Sequence, residues 1–314
     1  MTKSMKLIDR IVAPENFQAA WQWLDSRRKD SHHNNDYWHL RHNCQHLEQK
    51  CIEEIRAGTY RFSPCKQYDG FLVWSAQDSL VLKALAIVLT DYLSPKLSTR
   101  CFHLAGNGEA KGCVNAVSET VDNYRFVCRS DVNSYYATID HGILMKQLRA
   151  LIPCETVLTL LGRMLGRLDD VYGVYHHVQI GISKGNPMSP LLGAVYLQPL
   201  DDQLSRYCEA HDLFYGRFMD DWVILCRTRN QLRTAVRLMN RVLDVVKMTM
   251  TKHPYKTFIG RIKFTGFDFL GYRIGNCLQK GLDIAWKTWA NHQGKLHQLY
   301  EQGVSETDIG QYVE

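Results

Sequence analysis

The chain has 314 residues, 45% of them hydrophobic, enough for one large domain or two modest ones around a real core. A net charge of +6 suits a nucleic-acid partner without requiring one, and no stretch approaches the roughly 20 apolar residues that span a membrane. The opening MTKSMKLIDR lacks the apolar run of a signal peptide, and the 10 cysteines form no C-x-x-C pair, so zinc-knuckle spacing is excluded and reduced, buried thiols in a cytoplasmic protein are expected.

Leu40, Cys44, Leu47, Cys51 and Ile55 recur at steps of three and four, which predicts a helix over 36–57 stopped by Gly58. Tyr60 to Ser63 reads as extended, and the apolar run from Ser79 to Tyr92 as a second helix. A glycine-rich loop, HLAGNGEAKG, follows from His103 to Gly112. It ends Ala-Lys-Gly where a phosphate-cradling P-loop ends Gly-Lys-Ser/Thr, so nucleotide hydrolysis through a P-loop is excluded. The loop fits either a flexible surface connection or an approach to a nucleic-acid backbone with Lys111 as its charge.

Arg125 to Asp131 alternates apolar and polar residues and predicts a strand ending in a carboxylate. Helices are predicted over Leu144–Ile152, ahead of Pro153, and over Ser189–Leu204, with Pro190 at the first position. In Tyr215 to Cys226, two β-prone apolar segments flank a bare Asp-Asp pair, which predicts a hairpin with Asp220 and Asp221 at its tip. The pairs Asp169-Asp170 and Asp201-Asp202 lack such flanks and read as solvated turn residues. Phe264 to Tyr272 is a last aromatic β-prone stretch. Trp286, Trp289, Leu296, Leu299 and Tyr300 fit one face of a helix that Gly303 ends, and Ser305 reads as the N-cap of a short stub.

Asp131, Asp220 and Asp221 are the carboxylates that apolar strands would hold rigidly. Phosphoryl transfer to a growing chain uses two hard cations roughly 3.5–4 Å apart, bound through oxygen ligands, and converging aspartates supply them.

At these positions the sequence resembles the bacterial reverse transcriptases, nearest to their group II intron-like branch, over about residues 36–275. Asp131-Val132-Asn133-Ser134-Tyr135-Tyr136 resembles the first catalytic motif, and Gly185-Asn186-Pro187-Met188-Ser189-Pro190 the glycine-x-proline-leucine-serine-proline motif. Phe218-Met219-Asp220-Asp221 matches the x-x-Asp-Asp box with phenylalanine for the usual tyrosine. Lys256-Thr257 resembles the following lysine-threonine pair, and Phe267 to Tyr272 the primer-grip strand. Lys184 stands where intron-encoded relatives carry glutamine.

The resemblance implies an α+β right hand, with fingers over 1–120, palm over 121–275 and a short or partial thumb over 276–314. It implies a polymerase that adds dNTPs to a DNA product on an RNA template with two Mg2+ ions. Asp131, Asp220, Asp221 and the backbone carbonyl of Val132 would be metal ligands, and Lys256 would sit near the leaving pyrophosphate as a catalytic group. Tyr136 would exclude a ribose 2′-hydroxyl. Gly185, Pro187, Ser189, Pro190, Phe218 and Met219 would border the substrate, and Phe269, Leu270 and Gly271 would grip the primer. The basic pair for the triphosphate is open among Lys66, Lys83 and Lys111. Untemplated or protein-primed synthesis, and a palm kept as a non-catalytic nucleic-acid-binding scaffold, are the alternatives. Only 42 residues follow Tyr272 (314 − 272), so a partner is expected to complete the thumb: a second copy, another protein or a non-coding RNA. Stand-alone relatives include antiphage enzymes, which makes defence the expected biological setting.

Overall fold

The computed structural model describes residues 6–68, 71–263, 265–276 and 282–305. Four helices lead: α1 (Leu7–Ile11), α2 (Pro14–Arg28), α3 (Asp36–His42) and α4 (Cys44–Arg56). The single helix expected over 36–57 is broken at Asn43, whose side-chain amide donates to the His39 carbonyl at 3.0 Å. Gly58 ends α4 with a φ of 67°, a left-handed conformation that glycine adopts without a Cβ clash. Residues 60–63 form no ladder, and pairing begins at β1 (Cys65–Tyr68), which hairpins to β2 (Phe71–Val73). Next comes α5 (Ala76–Leu93), capped by Ser75, whose hydroxyl accepts from the Asp78 amide. It is apolar all round, with Leu80, Leu82, Leu85 and Leu89 buried, and α1, α2 and α3 pack against it.

The glycine-rich loop is shorter than expected, because α6 (Glu109–Thr120) starts inside it and carries Lys111 in its first turn. Then follow β3 (Phe126–Ser130), α7 (His141–Leu151), α8 (Glu155–Leu165) and the hairpin β4 (Leu168–Val171) to β5 (Val174–His177). The helix expected over Ser189–Leu204 is two, α9 (Ser189–Tyr196) and α10 (Gln198–Ala210). Pro199 in the first turn of α10 cannot donate the bond that a continuous helix requires. The remaining elements are β6 (Phe214–Phe218), β7 (Asp221–Cys226), α11 (Arg229–Val245), β8 (Phe258–Arg261), β9 (Thr265–Phe269), β10 (Tyr272–Asn276), β11 (Asp283–Ile284) and α12 (Trp286–Glu301). The stretch to Tyr272 is thus a hairpin turning at Leu270-Gly271, and Phe264 lies outside the described residues. Gly303 follows α12 as expected, whereas the stub after Ser305 lies outside the described residues.

The central sheet is antiparallel, in the order β6-β7-β3-β8. Alternation along β7 sends Trp222, Ile224 and Cys226 into the large core with α9, α10 and α11, while Val223 and Leu225 face a second core with α6, β9 and β10. A second sheet, β2-β1-β4-β5, pairs residues 65–73 with 168–177, so it crosses the boundary expected at residue 120. Asp169 is not a solvated turn residue: it lies buried on β4, bonded to Arg167 at 3.0 Å. The described cysteines are all free, and seven of the nine are buried. The architecture is α+β, an antiparallel palm sheet backed by helices.

Ile224 is fully buried at the middle of this sheet. Ile224→Ala is expected to cost about 2–5 kcal/mol, read as a lower urea midpoint at unchanged slope.

Candidate active site

The acids meet at one end of the palm sheet. β6 and β7 are joined by the two-residue turn Met219-Asp220, with Phe218 paired to Asp221. Asp220 alone is therefore at the tip, and Asp221 opens β7. The β3–β7 register pairs Ser130 with Trp222, and one further step sets Asp131 opposite Asp221. Asp131 is held by its own backbone as well: its carbonyl accepts from Thr251, and Asn133 donates to Thr249, both at 2.9 Å. Those bonds flank the Val132–Met250 bridge, so the Val132 amide and carbonyl point away from Met250.

Met219 takes a φ of 54° at the first turn position, which glycine usually fills. Two side chains fasten it, the buried Arg217 and the partly buried His103. Arg217 donates from Nη1 to the Met219 carbonyl at 2.5 Å, and His103 Nδ1 accepts from the Met219 amide at 2.9 Å. Since Nδ1 accepts, the proton is on Nε2, which donates to the Pro190 carbonyl at 3.1 Å. Burial and the nearby Arg217 charge push His103 down to about 4, so the ring is neutral. Arg217 in turn forks onto Asp201, Nε to Oδ1 at 2.8 Å and Nη2 to Oδ2, and Tyr215 donates to the same Oδ1 at 2.7 Å. Asp201, read from sequence as a solvated turn residue, is fully buried.

The carboxylates repel one another. Burial first, then the charges of Asp220 and Asp131, push Asp221 up to about 7. Burial, with a contribution from Asp131, also raises Asp220. Lys256 Nζ donates to Asp131 Oδ2 at 2.5 Å, which raises the lysine. The other oxygen, Asp131 Oδ1, is buried with no partner. Among the described residues no three His, Cys, Asp or Glu side chains converge closely enough to hold an ion, and an ammonium instead neutralises Asp131. The donor set still fits magnesium: hard oxygens on rigid strands, one of them orphaned, with mutual repulsion that a cation would relieve.

A cleft of about 820 Å³ opens beside these acids. Asp220, Val132, Tyr136 and Lys256 form one side, with Gly185, Pro187, Ser189, Pro190 and Met219. Tyr136 is half-buried, its hydroxyl 3.9 Å from Met219 Sδ. Ser189 is fixed by a 2.8 Å bond to the Ser183 carbonyl, and α9 lies so close to the Asp131 segment that a Cβ at Gly193 would meet Tyr135 Oη at 2.6 Å. Asp131 and Asp221 do not line the cleft, nor do Phe218, Phe269, Leu270 or Gly271. Phe269 packs in the second core, and Leu270-Gly271 is its hairpin turn.

α2 and α5 also contribute to the lining. Arg27 and Lys83 both line the cleft and both lie over the Trp23 ring, 5.4 and 5.3 Å from its centroid. Burial and the Arg27 charge lower Lys83. Of the three lysines left open, the structure brings Lys83 to the site, while Lys66 sits on β1 and Lys111 on α6. Trp23 and Arg27 were missed, because nothing local on α2 marks which of its tryptophans and arginines face a site.

Residues 77–274 match the reverse transcriptase (RNA-dependent DNA polymerase) family, well over half the chain. The chain belongs to that family. It is 21% identical over 300 residues to the putative COX1/OXI3 intron 1 protein of Saccharomyces cerevisiae, covering 76% of this chain and 36% of that one. It is 25% identical over 181 residues to protein YkfC of Escherichia coli, covering 48% and 47%. A chain of a solved partial Cas6-RT-Cas1–Cas2 complex aligns at a TM-score of 0.48 and 21% identity, over 78% of this chain and 44% of that one. The chain thus spans less than half the length of these relatives. No described helix of the reverse transcriptase chain is long and apolar enough to cross a membrane.

Two outcomes follow from the site. Asp201→Ala would leave Arg217 buried without a counter-charge and is expected to cost about 3–5 kcal/mol in chemical unfolding. The second concerns pH in metal-free protein. Because folding raises Asp221 to about 7, its ionisation destabilises the fold increasingly as pH rises from the unfolded carboxylate value of about 4 to about 7. Asp221→Asn removes that burden, so its melting temperature should gain on wild type across this window and the gain should level off above it. A constant difference from pH 4 to 8 would contradict the shift.

Proposed function

We propose that the cleft is the active site of an RNA-directed DNA polymerase that adds dNTPs to a primer terminus. The observation that carries the reading is that one cleft is lined both by Asp220, beside Asp131 and Asp221, and by the cations Arg27 and Lys83, in a chain of this family. Asp131, Asp220, Asp221 and the Val132 carbonyl would hold two magnesium ions, which when bound activate the primer hydroxyl and stabilise the leaving pyrophosphate.

The chain's own groups have distinct tasks. Arg27 and Lys83 bind the triphosphate, whose charge relieves their mutual repulsion. Tyr136 fills the space beside the sugar and rejects a 2′-hydroxyl. With Asp131 committed to a cation, Lys256 would be free to give a proton to the pyrophosphate. Ser189 and Pro190 position the helix that backs the template. The β9–β10 turn at Leu270-Gly271 supports the primer strand, and α12 serves as a short thumb. A cytoplasmic enzyme working in antiphage defence is the biological setting we propose, from the resemblance to stand-alone bacterial reverse transcriptases.

The test is primer extension with labelled dNTPs, with and without an RNA template. Asp131→Asn and Asp220→Asn should each lower synthesis by at least about 10²-fold with the fold retained in thermal unfolding, a loss of the order seen when an electrostatic catalytic contact is removed. Near-normal extension by both would overturn the reading, and synthesis by wild type without template would move it to untemplated polymerisation. Lys83→Gln should raise KM for dNTP about tenfold or more with a smaller change in kcat. An unchanged KM would remove Lys83 from the triphosphate site.

A further inference from the structure

Up to Asp244, the polar face of helix α11 carries charge of one sign only. Arg229, Arg233, Arg237 and Arg241 follow one another at four-residue steps and all are exposed, while Leu232, Ala235, Met239, Val242 and Leu243 are buried on the other side. The four are spread over twelve residue steps, about 18 Å at 1.5 Å per step. No acid occurs on α11 before Asp244, and none of the four arginines is ion-paired among the described residues. Like charges at such spacing oppose helix formation. The capping box of Thr228 and Gln231 and the buried apolar stripe hold the helix in spite of that.

The arginines do not simply project into water. Arg229, Arg233 and Arg237 line a hollow of about 680 Å³ with Arg261 of the edge strand β8, over a floor that includes Phe126, Leu232, Val236 and Ile259. Across β8 a second hollow carries Arg125, Arg261 and Lys263. Together the two linings hold six cations and a single acid, Asp122. Neither shares a residue with the catalytic cleft.

We propose that this face of the palm is a second nucleic-acid site, which docks the phosphate backbone of a double-stranded RNA segment. Successive arginines one helical turn apart stand about 6 Å from each other, close to the separation of neighbouring phosphates along a strand. Guanidinium forks match phosphate oxygens better than lysine would. On α11 itself no aromatic ring stands among the arginines for an unpaired base to stack on, the part-buried rings of Phe126, Tyr124 and Phe258 lying in the hollows beside it, which favours a paired backbone along this helix. The choice of RNA rests on membership of a family that works on RNA. The surface would hold a structured part of the RNA while the cleft works on another part.

The probe is an RNA hairpin of about two helical turns carrying a 3′-phosphate, so that it cannot act as primer. Wild type should bind it alongside saturating primer-template, with affinity that falls steeply with salt. The triple variant R233Q, R237Q and R241Q should lose about tenfold or more in affinity, and its slope of log affinity against log salt should flatten by roughly 3, near 0.9 for each lost phosphate contact. Extension of a short primer-template and the melting temperature should not change. The matching R→K triple should recover the slope, which separates lost charge from lost fold. Unchanged hairpin affinity and slope in the glutamine triple would overturn the proposal, as would displacement of the hairpin from wild type by primer-template. Preference for a DNA duplex, or binding of poly-glutamate in place of the hairpin, would assign the surface to another partner. Asp220→Asn should abolish synthesis and leave hairpin binding intact, so this site and the polymerase reading can fail separately.

Discussion

Inside the palm, the guanidinium of Arg217 meets the carboxylate of Asp201 with neither exposed to water. Burial alone would push Arg217 down, yet the carboxylate holds it well above its ordinary value. Such a pair is seldom a net source of stability, because desolvating two ions offsets their attraction. What it supplies here is position. With two nitrogens committed to Asp201, the third can point only at the Met219 carbonyl. The left-handed backbone of Met219 costs roughly 1–2 kcal/mol. The bonds from Arg217 and to His103, at about 1 kcal/mol each, are of the size needed to hold it. Asp220 therefore stands at a fixed place on the tip of a hairpin that a free chain would not keep.

The same pair depends on the break between α9 and α10. Pro199 restarts the helix, and Asp201 then falls in the first turn of α10, where the positive helix end favours a carboxylate. A continuous helix from Ser189 would carry that residue elsewhere. His103 ties the other end of the arrangement, since one imidazole bonds both the Met219 amide and the Pro190 carbonyl at the start of α9. The Met219-Asp220 turn and the Ser189-Pro190 helix are thus coupled through a single neutral ring.

This coupling marks what could be read from the sequence. Asp220-Asp221 was legible because apolar β-prone segments flank it, and Asp131 because it ends an alternating strand. The lysine-threonine pair and the Ser-Pro helix start were legible by resemblance, and Lys256 does reach Asp131. Asp201 and Asp169 were misread as solvated, because their partners Arg217 and Arg167 can be recognised only in the fold. The helix breaks at Asn43 and Leu197 were missed for a related reason: both runs keep an apolar period across the break. Arg27 and Trp23 come to the cleft from a helix about a hundred residues before Asp131, a distance over which periodicity carries no information.

Charge explains how these parts act together. Three aspartates are gathered by strand register, and burial first, with their mutual repulsion added, raises Asp220 and Asp221. In this state Lys256 supplies the missing positive charge to Asp131, while Asp131 Oδ1 keeps an unused lone pair. In the same cleft, Arg27 and Lys83 are crowded over one indole with the opposite deficit. Under the proposed function, cations drawn to the acids and a triphosphate drawn to the basic pair each relieve one of the two repulsions.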